Sequence, residues 1–283
     1  MTALPEQFTE PTLDEAPPEI WEVVSAAAAL AGPANVIMQL SALPIGHGVA
    51  LSTVDSGRLD YHPIKRARTT LGYIAVALFG TDEERRWMRS EVDGQHRQVR
   101  NKPGAEVKYN AFSRDLQLWV AACIYQGFSD VLAYRREPLT EDRKDAIYRY
   151  SSRIATTLQV PPEMWPADRA AFQVYWDRTL PTMAVDELTR DYLRNHMVDL
   201  RFLPVAGWLM RPFGRFVTTG FLPPSFRDLL GLDWDDRRQR RFERLFRIIY
   251  RTTMILPEPL RRFPGNAYLR DFKRRRSTGR PFV

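Results

Sequence analysis

The chain is poor in the residues on which several classes of protein depend. Its 283 residues include one cysteine, Cys123, and four histidines. A single cysteine excludes a disulfide framework and a thiolate metal cluster, and it is typical of a reducing compartment. The four histidines, His47, His62, His96 and His196, lie too far apart in the sequence to predict a zinc site.

Catalytic signatures are also scarce. The sequence contains no P-loop, no dinucleotide-binding G-x-G-x-x-G, no G-x-S-x-G and no H-E-x-x-H motif. Phosphoryl transfer, nicotinamide chemistry and serine hydrolysis therefore lack support. Any chemistry has to come from side chains that the secondary structure brings together.

Long apolar runs are missing as well. The longest, residues 23–32 and 71–80, have ten residues each, and a membrane-spanning helix needs roughly 20. Residues 1–21 are acidic and rich in proline, without the basic start and apolar segment of a secretion signal. We expect a cytoplasmic protein whose contact with membranes, if any, is peripheral.

Positive charge is concentrated at the C-terminal end. Residues 237–283 carry 15 Lys and Arg against three acids, a net charge of +12, whereas the whole chain carries +7, so residues 1–236 carry −5. A basic end of this kind suits an anionic membrane or, less well, nucleic acid, but arginine runs are more often solvated faces and flexible ends. The charge alone names no partner.

One helix in this basic region has two possible uses. Between Arg237 and Arg251, one face carries the apolar side chains of Phe242, Leu245, Phe246 and Ile249, and arginines cover the others. A helix packed on the core and a helix lying on a membrane surface both fit this pattern. We favour core packing, because an apolar stripe with polar sides is the ordinary pattern of a surface helix.

The apolar pattern is helical almost throughout from Ile20 onward, and no runs of alternating residues predict strands. We predict an all-α fold: one globular domain of about ten helices that encloses a ligand pocket. The expected divisions are a loose acidic arm over 1–18, a helical domain over 19–270 and a basic tail over 271–283. Helices are predicted near 19–31, 34–51, 63–79, 82–100, 111–134, 140–158, 167–180, 186–197 and 235–256.

A histidine interrupts the apolar stripe of the helix predicted over 82–100. Met88, Val92 and Val99 recur at helical spacing, and His96 stands in the same stripe. A buried imidazole needs a hydrogen-bond partner or a metal, because leaving it unsatisfied costs on the order of 1–3 kcal/mol. A core histidine bonded to a backbone carbonyl and a metal-binding or catalytic histidine both fit.

The preceding helix places polar groups on one face. Arg66, Thr70, Tyr73 and Ala77 follow the spacing of neighbouring turns. An arginine, a hydroxyl and a phenol that project together could hold an anion such as a haem propionate, or donate a hydrogen bond to bound oxygen. The alternative is an amphipathic helix whose first turn is simply exposed.

Taken in order, four motifs resemble the rubber oxygenase family, which includes the bacterial latex clearing proteins and the fungal oxygenase of mycophenolic acid biosynthesis. The resemblance covers roughly residues 20–235, and its specificity lies in the ordered set. The motifs are NVIMQL (35–40), RARTTLGYIAVALFG (66–80), VDGQHRQVR (92–100) and YNAFSRDLQLWVAA (109–122).

The resemblance implies an all-helical fold around a b-type haem with His96 as the proximal iron ligand. Arg66 and Thr70 fall on the family's Arg-x-x-x-Thr pair, as distal-side or propionate-side groups. Thr69 stands where the latex clearing proteins place a lysine that can cap the iron, so the sixth position is expected to be open, or filled by water or another residue. Tyr73 is expected to belong to the same cofactor pocket.

Two histidines that many members share are missing. Ala121 replaces the histidine of W-V-H-A, and Leu43 replaces that of A-H-P. If His96 binds the iron, haem binding survives both changes, whereas tuning, substrate choice or turnover can suffer.

The resemblance therefore implies a haem b-dependent oxygenase that uses O2 on a carbon–carbon double bond of a hydrophobic substrate, such as an isoprenoid or another lipid. The alternative is a non-catalytic haem- or lipid-binding protein of the same fold. Tyr73, Tyr109 and Trp119 either line the pocket or are ordinary core aromatics.

Overall fold

The computed structural model describes residues 10–51, 62–101, 104–201 and 205–282. Over these ranges the fold is all-α, as predicted, with two isolated β-bridges and no strand. Within the same ranges, no helix is both long and apolar enough to cross a membrane.

The described ranges contain fourteen α-helices, more than the ten or so predicted, because several are short. The first seven are α1 Ala26–Ala29, α2 Gly32–Leu40, α3 Leu43–Ala50, α4 Pro63–Phe79, α5 Asp82–His96, α6 Arg114–Leu132 and α7 Glu141–Thr156. The others are α8 Arg169–Thr179, α9 Glu187–Leu193, α10 Val205–Phe221, α11 Pro224–Leu229, α12 Asp236–Met254, α13 Glu258–Arg261 and α14 Gly265–Ser277.

The single helix predicted over 34–51 is two helices, α2 and α3. Pro44 has no N–H to donate to the carbonyl of Leu40, so the helix cannot continue through it. Ala42 adopts an extended conformation at the break, with ψ of 106°. Gly46 permits the tight angle that follows, because a Cβ there would lie 2.6 Å from the Leu40 carbonyl oxygen.

Helix α5 begins at a capping box and ends earlier than predicted. The Thr81 hydroxyl accepts a hydrogen bond from the Glu84 N–H at 3.3 Å, and the Glu84 carboxylate accepts one from the Thr81 N–H at 2.9 Å. These bonds satisfy free donors of the first turn and fix the register of the helix. His96 is its last residue, and a turn closed by the Val99 N–H and the His96 carbonyl oxygen follows.

Helix α6 is the central helix, since 12 of its 19 residues are buried. It packs against α2 and α7, while α4 packs against α5, α7 and α14. The indole N–H of the buried Trp119 donates to the Met38 carbonyl at 3.2 Å, and its ring stacks on Trp176, so Trp119 belongs to the core.

The C-terminal segment, expected to be a solvated basic tail over 271–283, packs on the body of the domain. Phe272 and Phe282 are fully buried. The ring of Phe282 covers Gly72 of α4, where a Cβ would approach it to 2.2 Å. Lys273 lies 3.5 Å from Glu84, which places a basic side chain beside the acidic start of α5. Burial of two phenylalanines holds the segment in place, because ion pairs this exposed contribute little.

The part of the acidic arm that is described also contacts the domain. Residues 1–9 lie outside the described residues. The Pro11 carbonyl accepts a hydrogen bond from Arg153 at 2.9 Å, and the Glu10 carboxylate pairs with the buried Arg85. Two arginines therefore bind this end of the arm.

The apolar stripe of α12 faces the core, as favoured from the sequence. Phe242 and Phe246 are buried and pack against Tyr134 and Phe221. This face of α12 therefore cannot lie on a membrane surface.

Candidate functional site

A partly open cavity of about 270 Å³ lies between α3, α4, α5 and α6. Its wall is mainly apolar, and it is slightly smaller than the roughly 300–1,000 Å³ usual for ligand pockets. The lining residues are Gln39, Leu40, Pro44, Ile45, Gly48, Val49, Lys65, Arg66, Thr69, Thr70, Tyr73, Val92, Gln95, His96, Val99, Tyr109, Asn110, Ala111, Leu116, Gln117, Val120, Ile124 and Leu158.

All five site residues predicted from the sequence line this one cavity. Helix α4 contributes Arg66, Thr69, Thr70 and Tyr73, and the last turn of α5 contributes His96. The structure thus brings together side chains from two helices that the sequence could place only on separate faces.

His96 has an unsatisfied ring. Its Nδ1 is buried, and neither ring nitrogen has a hydrogen-bond partner among the described residues. The edge of the ring meets Phe112, with ring centroids 6.0 Å apart. The alternative of a core histidine satisfied by a carbonyl therefore does not hold within this part of the chain. An imidazole in this state keeps a nitrogen lone pair free for a ligand that enters the cavity.

The surroundings also keep His96 neutral. Burial and, to a smaller extent, the nearby positive charge of Arg66 together lower the pKa of His96 from 6.5 to about 4. The charged form loses hydration and meets a like charge, so the neutral form dominates at pH 7. A neutral imidazole is the form that binds iron or another transition metal.

The three polar groups next to Arg66 on α4 differ in what they can offer a ligand. The Thr69 hydroxyl donates to the Arg66 carbonyl at 3.0 Å, and the Tyr73 hydroxyl donates to the Ile154 carbonyl. Tyr73 therefore presents its ring, while its phenol is held by the protein. The Thr70 hydroxyl has no partner among the described residues and remains free to donate into the cavity.

Arg66 is a cation without a counterion in the described part of the chain, since no carboxylate there lies within ion-pair distance. Loss of hydration lowers its pKa, although the guanidinium stays charged at neutral pH. Its side chain is open to the cavity. It is placed to attract an anion.

A folded-back loop closes one side of the cavity. The Ala111 N–H donates to the Val99 carbonyl and the Asn101 N–H to the Tyr109 carbonyl, both at 3.1 Å. Gly48 lets α3 approach this loop, because a Cβ there would already lie 3.3 Å from the Tyr109 ring. Tyr109, left open as pocket or core from the sequence, is thereby part of the wall.

A chain of amides fixes the end of α5 beside α6. The Gln117 amide donates to the Ala111 carbonyl at 2.8 Å and to the side chain of Gln159. Gln159 in turn donates to the Asp93 carboxylate, one turn before His96. The network orients the part of α5 that carries His96.

His47 has a different environment, although it lies on α3. Its Nε2 is 2.5 Å from the Asp186 carboxylate, on the side of α3 that faces α9, and it does not line the cavity. Burial raises the pKa of Asp186, but hydrogen bonds from Thr189 and His47 outweigh this effect and leave the pKa low. His47 is therefore a structural histidine and no substitute for the one missing at Leu43.

Neither departure from the family pattern lies in the cavity wall. Ala121 is buried within the core, and Leu43 begins α3 without lining the cavity. Five polar residues of the wall were not predicted: Gln39, Lys65, Gln95, Asn110 and Gln117. Lys65 could have been found, because it stands one turn before Thr69 on the face of α4 already recognised. Gln117 depends on how α6 packs, which its own sequence does not reveal.

The donor set limits what metal chemistry is possible. Among the described residues, no three His, Cys, Asp or Glu side chains cluster to hold a bare metal ion. A metal at His96 would have one ligand from these residues, so it must bring the others with it. A porphyrin brings four nitrogen ligands, and its body suits a mainly apolar wall. The fold and the cavity thus define an all-α protein with a neutral histidine in the wall of a mainly apolar cavity.

The comparison with protein families agrees with this class. The chain belongs to the family described as ER-bound oxygenase mpaB/B′/rubber oxygenase, catalytic domain, whose model matches residues 21–251. It is 45% identical over 254 residues to an uncharacterised protein of Mycobacterium bovis and to one of Mycobacterium tuberculosis. In each case the match covers 88% of this chain and 98% of the relative. No solved structure shows a significant match to the chain.

Proposed function

We propose that this protein is a haem b-dependent oxygenase that uses O2 on a carbon–carbon double bond of a hydrophobic substrate, such as an isoprenoid or another lipid. The observation that carries the proposal is the neutral, unpartnered imidazole of His96 in the wall of a mainly apolar cavity. Membership of an oxygenase family supports the reaction type.

The residues present fit a haem. His96 would hold the iron, and Arg66 would hold a propionate carboxylate by charge-assisted hydrogen bonds. A bound haem supplies a redox-active iron that activates O2, which no side chain of the chain can do. Thr69 is uncharged and bonded to its own helix, so it does not act as a charged cap.

The remaining side chains of the wall would prepare the substrate side. The Thr70 hydroxyl is placed to donate a hydrogen bond to an oxygen atom in the cavity, and the ring of Tyr73 supports an apolar ligand. Val120 and Ile124 of α6 extend the apolar wall and exclude water from it.

Turnover tests the proposal. Haem-loaded protein incubated with squalene in air should consume O2 and yield carbonyl products, detected by mass spectrometry with ¹⁸O₂ as the label. His96→Ala should abolish both, whereas His47→Ala should keep both, because His47 is held by Asp186 outside the cavity. Equal O2 uptake by the two variants would contradict the proposal. Haem loading without turnover on any unsaturated lipid would favour the non-catalytic haem-binding alternative.

We also propose peripheral contact with an anionic membrane, from which such a substrate would come. Ile255, which is 82% exposed, caps the end of α12, and Leu260, which is 58% exposed, lies in α13; Arg251 and Arg261 flank them in sequence. Exposed apolar side chains with arginines nearby in sequence suit an anionic lipid surface. Ile255→Asp with Leu260→Asp should abolish sedimentation with phosphatidylglycerol vesicles, and unchanged sedimentation would refute the contact.

A further inference from the structure

The first turn of α4 places two adjacent cations in the cavity wall. Lys65 and Arg66 both line the cavity, and neither has an ion-pair partner among the described residues. Every residue found to line the cavity is neutral or basic, so the wall carries two positive charges and no negative one from the described part of the chain.

This charge works against the stability of the helix. The amino end of a helix carries a partial positive charge, so acids are favoured there and cations disfavoured. Helices α5 and α7 obey the rule, with Asp82 and Glu141 among the acids of their first turns, whereas the first turn of α4 has none. Helices α2, α3, α8, α11 and α14 also lack an acid there, so the feature that sets α4 apart is the pair of cations in the cavity wall.

The surroundings of Arg66 point the same way. Its side chain is exposed to the open cavity and its guanidinium meets no carboxylate among the described residues, so a ligand that fills the cavity would take this charge out of water. A charge that is withdrawn from water needs an opposite charge or several hydrogen bonds. The described wall supplies neither, so an anionic group of a ligand would serve as the counterion.

The two cations select the kind of anion. A guanidinium binds a planar carboxylate through two parallel hydrogen bonds, and an ammonium adds a compact point charge beside it. Two positive charges balance one or two carboxylates. The rest of the wall is mainly apolar and suits a hydrocarbon body.

We propose that Lys65 and Arg66 form a carboxylate-binding end of the cavity, so that its ligand is an amphiphile with an apolar body and at least one carboxylate. Two ligands have this chemistry. One possible carboxylate is a propionate of haem, and this case rests on the proposed function. The other is the carboxylate of an unsaturated fatty acid, and this case holds without haem.

Esters separate charge from shape in the test. Dissociation constants are measured for the full-length protein with haemin, haemin dimethyl ester, oleate and methyl oleate, because each ester keeps the body of its acid and removes the charge. Lys65→Met removes the ammonium at similar length, and Lys65→Arg restores the charge. Lys108→Met is the matched control, because Lys108 is exposed, adjoins Tyr109 in sequence and does not line the cavity.

If propionates are bound, Lys65→Met should raise the dissociation constant of haemin by roughly three- to tenfold, since one charge-assisted bond is lost. The dissociation constant of the dimethyl ester should not change. If the carboxylate of a fatty acid is bound, Lys65→Met should raise the dissociation constant of oleate by the same factor and leave that of methyl oleate unchanged. Lys65→Arg should recover most of the affinity in either case, and Lys108→Met should bind as wild type.

Equal losses for acid and ester, or an equal loss in Lys108→Met, would overturn the inference. The proposed function can fail separately. Wild-type protein that binds oleate through Lys65 but never binds haemin would refute the haem and keep the carboxylate end. Protein that binds haemin through His96 with equal affinity for the acid and the ester would keep the haem and refute the carboxylate-binding end.

Discussion

The two ends of helix α4 differ in whether the cations beside them have partners. At the carboxyl end, the buried Arg153 donates to the carbonyls of Ala77 at 3.1 Å and Gly80 at 2.8 Å, which are groups that a helix end leaves free. At the amino end, Lys65 and Arg66 find no anion in the described part of the chain. A fully hydrogen-bonded arginine thus maintains the fold, whereas unpaired cations in a cavity wall are available to a ligand.

The same difference separates two histidines of neighbouring helices. His47 is bonded to the Asp186 carboxylate, and His96 has a buried Nδ1 with no partner among the described residues. The unsatisfied histidine gives up stability that a bound ligand can restore. Satisfaction of hydrogen bonds therefore distinguishes structure from function more sharply here than burial does.

The largest expected effect is at the paired end of α4. Arg153→Leu should lower the free energy of unfolding by about 3–5 kcal/mol, because it leaves several buried carbonyls without a donor. Urea unfolding followed by circular dichroism measures it. Arg149→Leu, one turn earlier and exposed, should change stability by less than about 0.5 kcal/mol. Similar losses in the two variants would remove the structural role assigned to Arg153.

The pH dependence of apo-protein stability tests the unsatisfied histidine. The pKa of His96 is about 4 in the folded protein and 6.5 as its ordinary value. Between these two pKa values, His96 is protonated in the unfolded chain and neutral in the folded chain. The free energy of unfolding therefore falls as pH falls from 6.5 to 4. The loss should be roughly 2–3 kcal/mol. The free energy of unfolding of His96→Gln should fall by that much less than the wild-type value over the same pH range. Identical pH profiles of the two proteins would show that His96 is not held neutral.

A third prediction concerns the middle of α4, where the C-terminal segment covers it. Gly72→Ala should lower the free energy of unfolding by roughly 1–3 kcal/mol, because the new methyl group meets the ring of Phe282. In a Phe282→Ala background the same change should cost less than about 0.5 kcal/mol. Additive losses in this double-mutant cycle would mean that Phe282 does not pack on Gly72 in solution.

The smallest effect separates two adjacent hydroxyls at the cavity end of α4. Thr70→Val should reduce O2 uptake by haem-loaded protein by roughly three- to tenfold, since it removes a free donor. Thr69→Val should change uptake by about twofold or less, because that hydroxyl is bonded to the Arg66 carbonyl. Equal effects would contradict the different roles of the two threonines.

Local sequence patterns were enough to predict those features that depend on a single helix. The all-α class follows from periodicity, and the spacing of Arg66, Thr70 and Tyr73 places them on one face of α4. The stripe that contains His96 follows in the same way. Once the helices pack, that face and that stripe meet at one cavity, which the sequence alone could not show.

What the sequence did not reveal depends on tertiary contacts. Nothing near Tyr73 indicates that its hydroxyl bonds to Ile154, a residue 81 positions further along the chain. The packing of Phe272 and Phe282 was hidden among arginines, which suggested a solvated end. The break at Pro44 was within reach, since a proline inside a helical pattern interrupts the hydrogen bonds of the preceding turn.

The role of His96 is tested most directly by an absorption spectrum of the protein expressed with haem supply, oxidised and then reduced with dithionite, beside His96→Ala and His47→Ala. We expect a Soret band in the wild type and in His47→Ala, and its loss in His96→Ala without loss of the fold. A Soret band that survives in His96→Ala, or no haem in the wild type, would contradict the claim that the unsatisfied histidine is the haem ligand.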